Sequence, residues 1–172
     1  PAVLVVGGGQ AGLAMSAHLS EQGVDHLVIE RDRIAERWRT ARWDSLVANG
    51  PAWHDRFPML EFEDCDGDGF PTRDSVVRYF ETVAERIDAP VRCGVEVKRA
   101  ARLPSGRGFR IETSDGVVTA DHVVAATGPF QTPVIPPVVP DGVINQFHSC
   151  HYRNPEQLED GGVLVVGAGS SG

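Results

Sequence analysis

The sequence predicts an α/β fold in three layers, with a parallel sheet and an antiparallel β-meander. Three observations predict it: short β-branched runs that stop at glycine, a glycine-rich turn leading from the first run into a helical pattern, and three later extended segments separated by turn residues. Parallel strands buried on both faces are continuous apolar runs, whereas meander strands are joined by short turns. A chain of 172 residues is long enough for one such domain of about 100 to 200 residues.

The opening of the chain predicts a strand, a helix and a second strand. Val3–Val6 is a compact β-branched run that ends at Gly7, which is typical of a buried parallel strand. Small and apolar residues continue at helical spacing over residues 11–19, and residues 26–30 form a second apolar run. We therefore expect a right-handed βαβ unit of about 30 residues.

The middle of the chain predicts an irregular segment and then a helix. Residues 38–70 are rich in aromatic residues and interrupted by prolines, so we expect them to wrap around a site rather than to build the sheet. Residues 74–87 place apolar side chains on one helical face, and Asp74 is the expected N-cap.

The second half of the chain predicts mainly strands. Turn residues separate the three segments expected to form the meander, residues 91–97, 109–113 and 117–119. A buried strand follows at residues 122–126, then an extended proline-rich linker at residues 132–140. Residues 162–166 repeat the apolar run of the opening strand and lead into another glycine-rich turn.

The composition excludes several functional classes. The hydrophobic fraction is 41%, and no apolar run approaches the ~20 residues of a membrane helix. We expect no secretory signal at residues 1–6, because this short apolar run has no basic segment before it and leads directly into glycines. The net charge of -8 argues against a nucleic-acid partner. Five arginines between residues 31 and 42 are a local exception, interpreted mainly as a solvated helix face and alternatively as neighbours of a phosphate-bearing cofactor.

The cysteines indicate the redox setting. Cys65, Cys93 and Cys150 are odd in number and widely spaced, with no Cys-x-x-Cys motif. This usage favours a reducing, cytoplasmic location. It also argues against flavoprotein reductases that relay electrons through a redox-active dithiol, because two thiols must be close enough to bridge.

The first glycine motif predicts a dinucleotide site. Gly7-x-Gly9-x-x-Gly12 follows a predicted strand and opens a helix, and Glu30 ends the next strand about twenty residues later. Gly7 permits the tight turn, Gly9 lets the backbone approach a pyrophosphate, and Gly12 permits close helix packing. The helix amino terminus offers free N–H groups to phosphates. The Glu30 carboxylate can accept the ribose hydroxyls and would repel a 2′-phosphate, which favours FAD or NAD over NADP at this site.

The order of elements bears on the choice between FAD and NAD, which the first motif leaves open. Instead of continuing a βαβαβ sheet, the chain inserts an irregular segment, a helix and a meander before the strand that ends at Thr127-Gly128. It then begins a second glycine motif at Gly167. This order resembles the flavoproteins with two dinucleotide-binding domains, in which the first Rossmann-like domain holds FAD and the second NADPH.

Three local stretches resemble the flavin-containing monooxygenases and their Baeyer-Villiger relatives. Residues 34–38, which end in Trp38, occupy the place of the family's Gly-Gly-x-Trp turn. Asn49-Gly50-Pro51 is similar to a family segment whose asparagine lies near the reactive face of the flavin. Residues 147–153 are similar to its His-x-x-x-Tyr segment. The resemblance implies an FAD- and NADPH-dependent enzyme that uses molecular oxygen on a small-molecule substrate, with Asn49 as the catalytic candidate.

The motifs and the resemblance together predict two domains and a set of binding residues. Residues 1–140 form the expected FAD-binding domain, and residues 141–172 a linker with the start of a truncated NADPH-binding domain, so we expect a fragment of a longer chain. The predicted cofactor-binding residues are Gly7, Gly9, Gln10, Ala11, Gly12, Glu30, Arg31, Trp38, Val97, Thr127, Gly128, Gly167, Gly169, Ser170, Ser171 and Gly172.

Two alternatives to a monooxygenase remain at this point. One is a flavin reductase or oxidase without oxygen insertion, and the other is a nucleotide-binding module without catalysis. A homodimer is compatible with each of them.

One metal-like motif is rejected. Asp64-x-Asp66-x-Asp68-Gly69 copies half of an EF-hand loop, but Ser75 stands where the loop needs a bidentate glutamate. We expect a solvated acidic loop and no metal site. His148 and His151 lack a partner at ligand spacing, so linker roles are expected for both.

Overall fold

A computed structural model of the protein describes residues 1–140, 142–169 and 171. It comprises two compact units. The first contains Pro1–Glu36 and Val77–Pro129, and the second contains Arg37–Val76 and Phe130–Gly172. The elements follow in the order β1 (Val3–Val6), α1 (Gln10–Glu21), β2 (His26–Ile29), α2 (Glu36–Thr40), α3 (Ala52–Asp55), α4 (Arg73–Arg86), β3 (Val91–Arg92), β4 (Val97–Arg102), β5 (Phe109–Thr113), β6 (Gly116–Ala120), β7 (His122–Ala125) and two 3-10 turns (Ser149–His151 and Pro155–Gln157).

The first unit contains a four-stranded parallel sheet with the order β3-β2-β1-β7. Strand β1 pairs with β2 from Val3 opposite His26 to Val6 opposite Ile29, and with β7 on its other side. The predicted order of strand, helix and parallel strand at the opening of the chain is confirmed, and the right-handed crossover stays a prediction. Because β1 is central and parallel, its carboxyl end and the turn that follows lie between the carboxyl ends of β2 and β7.

The two faces of this sheet pack against different layers. Side chains alternate along a strand, so neighbouring residues of β1 point to opposite faces. One face places Val3, Val5 and Val28 against residues of α1 that include Met15 and Leu19. The opposite face places a second set together: Leu4, Ile29, Val95, Ile111 and Ala120. Helix, parallel sheet and meander therefore form the three predicted layers.

The meander differs from the prediction in its first strand. Its strands are β4, β5 and β6, paired antiparallel in that order. Residues 91–97 were expected to be one meander strand, but Val91–Arg92 joins the parallel sheet beside β2. Gly94 has a φ of +75° and donates its N–H to the Asp32 carbonyl, so the chain turns there before β4 begins at Val97. A single apolar run thus contributes to two sheets.

Helix α4 confirms the predicted amphipathic helix, although its amino-terminal cap is different. Five of the six residues predicted on its apolar face are buried, and Tyr79 is buried with them: Val76, Val77, Phe80, Val83 and Ala84. The sixth, Ile87, lies just beyond the end of the helix and is half-buried. The prediction of Asp74 as N-cap is wrong, because the helix already includes Arg73. The Thr72 side chain instead accepts the Ser75 N–H at 3.2 Å, and its carbonyl accepts the Val76 N–H.

Residues 38–70 are irregular, as predicted, apart from the end of α2 and the single turn α3. They belong to the second unit, which has buried apolar side chains of its own: Ala41, Ala48, Ala52, Phe57, Leu60 and Phe62. Val47 forms an isolated antiparallel bridge with Thr72. The segment is therefore packed and hydrogen-bonded, despite its lack of regular structure.

The predicted strand at residues 162–166 is not formed. Side chains 163–166 are 59 to 75% exposed, and within the described residues the segment pairs with no strand. Its β-branched composition favours an extended backbone, but a strand also needs a hydrogen-bonded neighbour. Among the residues described, no helix is both long and apolar enough to cross a membrane.

Candidate dinucleotide-binding site

The turn after β1 has a shape that only glycine permits at two positions. Gly7 has a φ of +112°, and a Cβ there would lie 2.4 Å from the Ala126 carbonyl oxygen. A Cβ at Gly12 would lie 1.9 Å from the Gly7 carbonyl oxygen. The Gly7 N–H donates to the Ile29 carbonyl at 2.8 Å, which closes the turn against β2. The tight turn and the close helix packing expected of these two glycines are both present.

Gly9 faces open space, because a Cβ there would meet no atom of the described chain within 4 Å. Gly9 is also the N-cap of the 12-residue helix α1, and no side chain caps this helix end. Gln10 and Ala11 are exposed in its first turn, which contains no acidic residue. The free N–H groups and the positive end of the helix dipole therefore face an open surface that can accept a phosphate.

Glu30 lies directly beside this turn. One carboxylate oxygen, Oε2, accepts the Gly8 N–H at 2.7 Å, and Oε1 accepts the Asp32 N–H at 2.8 Å. The side chain is half-buried. Because each carboxylate oxygen accepts more than one hydrogen bond, both can still accept a ribose hydroxyl. The free N–H groups of α1 can thus bind the pyrophosphate of a dinucleotide, and the adjacent Glu30 carboxylate can bind its ribose. The residues present therefore fit a dinucleotide.

Gly8 was not among the predicted residues, although it holds Glu30 in place. A Cβ at Gly8 would lie 3.0 Å from the Glu30 Cβ. The available sequence signal was the glycine at position 8 itself, because the motif Gly-x-Gly-x-x-Gly does not require glycine at its second position.

The other predicted residues of the first unit have varied settings. Arg31 is exposed, and its Nε donates to Asp32 Oδ2 at 3.0 Å; this hydrogen bond raises the pKa of Arg31. Val97 packs against the buried cluster beneath the sheet. Thr127 and Gly128 follow β7, and Gly128 has a φ of +78°. Cofactor contacts of these residues stay predictions.

The second unit contains Trp38 and Asn49. The Arg42 guanidinium lies over the Trp38 ring, 5.8 Å from its centroid. Burial lowers the pKa of Arg42, and the charge of Arg37 acts in the same direction. Asn49 is exposed at the turn before α3. Trp38 as a cofactor contact and Asn49 as a catalytic group stay predictions.

The second glycine motif repeats part of the first turn. Gly167 has a φ of +121°, close to that of Gly7, and a Cβ at Gly169 would meet nothing within 4 Å, as at Gly9. Ser171 is exposed. Ser170 and Gly172, also predicted to bind cofactor, lie outside the described residues. Among the described residues no paired strand precedes Gly167, so its backbone conformation does not depend on one.

The predicted linker segment around His148 is docked within the second unit. His148 accepts the Cys150 N–H at 3.2 Å and caps a short 3-10 turn. The Arg153 guanidinium donates to the Arg42 carbonyl at 3.1 Å. Asp44 also contributes, because its N–H donates to the Arg153 carbonyl at 2.8 Å. No sequence pattern singled out Asp44.

The glycine turn at the carboxyl end of the central parallel strand, with Glu30 beside it, defines an α/β protein of the dinucleotide-binding class. The chain belongs to the pyridine nucleotide-disulphide oxidoreductase family, whose sequence profile matches residues 4–172. Cys65, Cys93 and Cys150 are each free.

Three known proteins show the range of this similarity. An uncharacterised CzcO-like oxidoreductase of Geobacillus kaustophilus is 39% identical over 99% of this chain and 49% of its own length. A mutant flavin monooxygenase of Stenotrophomonas maltophilia is 26% identical, with a TM-score of 0.78 over 90% of this chain and 46% of its own. A steroid monooxygenase bound to NADP is 26% identical, with a TM-score of 0.68 over 77% of this chain and 27% of its own. The chain thus spans about half the length, or less, of these three relatives.

Proposed function

We propose that the chain is the FAD-binding part of an NADPH-dependent flavoprotein monooxygenase that oxygenates a small organic substrate. The observation that carries this proposal is the contact between Glu30 and the glycine turn, with the Gly8 N–H 2.7 Å from the carboxylate. This contact places a carboxylate that can accept hydrogen bonds from ribose hydroxyls next to a helix amino terminus whose free N–H groups can bind a phosphate. The flavin monooxygenase and the NADP-bound steroid monooxygenase among the similar structures support the choice of cofactors and reaction.

The charges of the first site support FAD there and NADPH elsewhere. The Glu30 carboxylate would repel the 2′-phosphate of NADPH, whereas the adenosine ribose of FAD carries two free hydroxyls. We assign NADPH to the second motif, which begins at Gly167. The left-handed backbone of Gly167 and the open space beside Gly169 support this assignment.

The overall reaction balances as NADPH, H⁺, O₂ and substrate giving NADP⁺, water and a substrate with one added oxygen atom. Bound FAD would supply the redox chemistry, taking a hydride from NADPH and passing electrons to oxygen. The residues of this chain would bind and orient it: the amides after Gly9 would hold the pyrophosphate, Glu30 would hold the ribose, and Asn49 is the residue we propose to act near the flavin.

The test uses the full-length protein, purified and supplied with FAD, NADPH and ¹⁸O₂. A thioether, an amine and a ketone are the substrates, chosen as soft nucleophiles and a carbonyl. We expect one labelled oxygen atom in the product for each NADPH consumed. NADPH consumption matched by hydrogen peroxide with no labelled product would show a reductase or oxidase, and absence of bound flavin would show a module of another kind.

We also propose a reducing cytoplasmic location and small-molecule partners. The three unpaired cysteines support the location. A homodimer is the proposed assembly, and sedimentation of the full-length protein tests it, since a single species of monomer mass would contradict it.

A further inference from the structure

The turn that carries Asn49 is held by backbone hydrogen bonds on both sides. Three amides that flank it donate to carbonyls of residues 67–71: Ala48 to Pro71 at 2.8 Å, Ala52 to Gly69 at 2.8 Å and Trp53 to Gly67 at 3.0 Å. All of these residues belong to the second unit. The carbonyls of the acidic loop at residues 64–69, and of Pro71 just after it, therefore accept hydrogen bonds from this turn.

The remaining flanking amide is held by a side chain. Asp55 ends α3, and its Oδ2 accepts the Gly50 N–H at 3.1 Å. Its other oxygen, Oδ1, lies 2.8 Å from His54 Nδ1. The fit is tight, because a Cβ on Gly50 would lie 2.4 Å from Asp55 Oδ1. A carboxylate that accepts a backbone N–H makes a stronger hydrogen bond than a neutral acceptor does.

Asn49 itself is left available. It is exposed, and within the described residues neither its backbone nor its side chain forms a hydrogen bond. The turn is thus held by hydrogen bonds at residues 48, 50, 52 and 53, while the side-chain amide of Asn49 forms no hydrogen bond within the described residues.

We propose that Asp55 is a positioning residue for the reaction, acting on the flavin through Asn49. This inference rests on the proposed function, in which Asn49 lies beside the flavin. The carboxylate fixes the Gly50 amide and with it the backbone that carries Asn49. Loss of that hydrogen bond would leave Asn49 in several orientations, so that more of the reduced oxygen leaves as hydrogen peroxide instead of entering the substrate.

The experiment compares variants of the full-length, FAD-loaded enzyme by the ratio of hydrogen peroxide to oxygenated product. Both outcomes consume NADPH, H⁺ and O₂: one gives NADP⁺ and hydrogen peroxide, and the other NADP⁺, water and product. Asp55→Ala should raise this ratio about tenfold, as expected for loss of one hydrogen bond to a charged group. Asp55→Asn retains an oxygen toward Gly50 and should raise it less.

Glu63→Ala is the matched control, since Glu63 is an exposed carboxylate of the same unit. Its ratio should equal that of the wild type. Gly50→Ala is the second variant in case Asp55→Ala does not retain flavin, because the new Cβ displaces the Asp55 carboxylate without removing it. It should raise the ratio in the same direction while flavin absorbance and the rate of flavin reduction by NADPH stay unchanged.

The results separate this inference from the proposed function. If the wild type makes product and both Asp55→Ala and Gly50→Ala keep the ratio of Glu63→Ala, the positioning role is wrong and the monooxygenase stands. Equal ratios for Asp55→Ala and Asp55→Asn, both above the wild type, would also overturn it, because the hydrogen bond would then not be the cause. If the wild type makes no product, the proposed function itself fails.

Discussion

At the scale of single residues, the glycines of the first motif do different physical work. Gly12 has no room for a side chain, because the Gly7 carbonyl oxygen would be 1.9 Å from its Cβ. Gly9 has room on the described protein, and the space beside it is the one a pyrophosphate would occupy. We therefore expect one motif to contain a glycine required for folding, Gly12, and a glycine required for binding, Gly9.

Alanine substitutions should separate these two requirements. Gly12→Ala should lower the free energy of unfolding by about 1 to 3 kcal/mol, because backbone must move to admit the methyl group. Gly9→Ala should leave stability within about 0.5 kcal/mol of the wild type but weaken FAD binding. Urea unfolding and FAD titration measure the two effects. Equal loss of stability in both variants would contradict this division.

Glu30 is the residue whose charge we expect to select the cofactor. Glu30→Gln keeps the shape of the side chain but replaces one acceptor oxygen with a donor, so FAD binding should weaken about tenfold or more. Glu85→Gln, at an exposed position of α4, is the matched control and should bind FAD as the wild type does. Fluorescence titration of the apoprotein measures both, and equal affinities in the two variants would remove Glu30 from the ribose site.

At the scale of elements, one carboxylate joins two distant segments of the second unit. Asp44 Oδ1 accepts from the Arg73 guanidinium at 2.7 Å, and Oδ2 accepts from the Asn154 side-chain amide at 2.8 Å. These contacts hold residues 153–157 against the start of the irregular segment. Both hydrogen bonds lower the pKa of Asp44 below its ordinary value of 3.8, and the one from Asn154 has the larger effect.

This pKa shift gives the docking a predictable pH dependence. Because the folded-state pKa of Asp44 is depressed, its stabilising contribution is present above pH 3.8 and is lost as the pH falls through the folded value. The nuclear magnetic resonance signal of the Asn154 side-chain amide should therefore titrate with a midpoint below 3.8. In Asp44→Asn this acid transition should be absent. A wild-type midpoint at or above 3.8 would contradict the hydrogen-bond network.

At the scale of the whole molecule, two apolar runs of identical sequence, residues 3–6 and 163–166, have opposite environments. Val5 in β1 is fully buried between two paired strands, whereas Val165 in the second run is 62% exposed. Burial of an apolar side chain depends on the layers that cover it, and those layers come from distant parts of the chain. The same local pattern therefore contributes differently to stability.

The pair Val5→Ala and Val165→Ala tests this difference in the 172-residue chain. Val5→Ala should cost about 2 kcal/mol, since it removes buried methyl groups and leaves a cavity. Val165→Ala should change the free energy of unfolding by less than about 0.5 kcal/mol. Urea unfolding monitored by circular dichroism measures both. Similar losses in the two variants would show that the second run is buried in solution.

Much of the architecture followed from local sequence. The run at Val3–Val6, the glycines after it and the apolar face of α4 are all short-range patterns, and each is present in the structure. Glu30 was placed correctly beside the glycine turn, because β1 and β2 are parallel and their carboxyl ends meet. The conformation of Gly167 shows the same principle, since it needs only the local chain.

The remaining features depended on partners distant in sequence. Val91–Arg92 joined the parallel sheet because β2 offered it a free edge, and residues 162–166 formed no strand because none of the described strands pairs with them. The cap of α4 is the exception, because Thr72 accepts hydrogen bonds from Ser75 and Val76, three and four residues later in the chain. The sequence by itself determined the βαβ unit, the glycine turn and the position of Glu30 beside it. Only the tertiary structure decided the pairing of strands and the hydrogen bonds from the flanks of Asn49 to residues 67–71, because those contacts join residues that no local pattern relates.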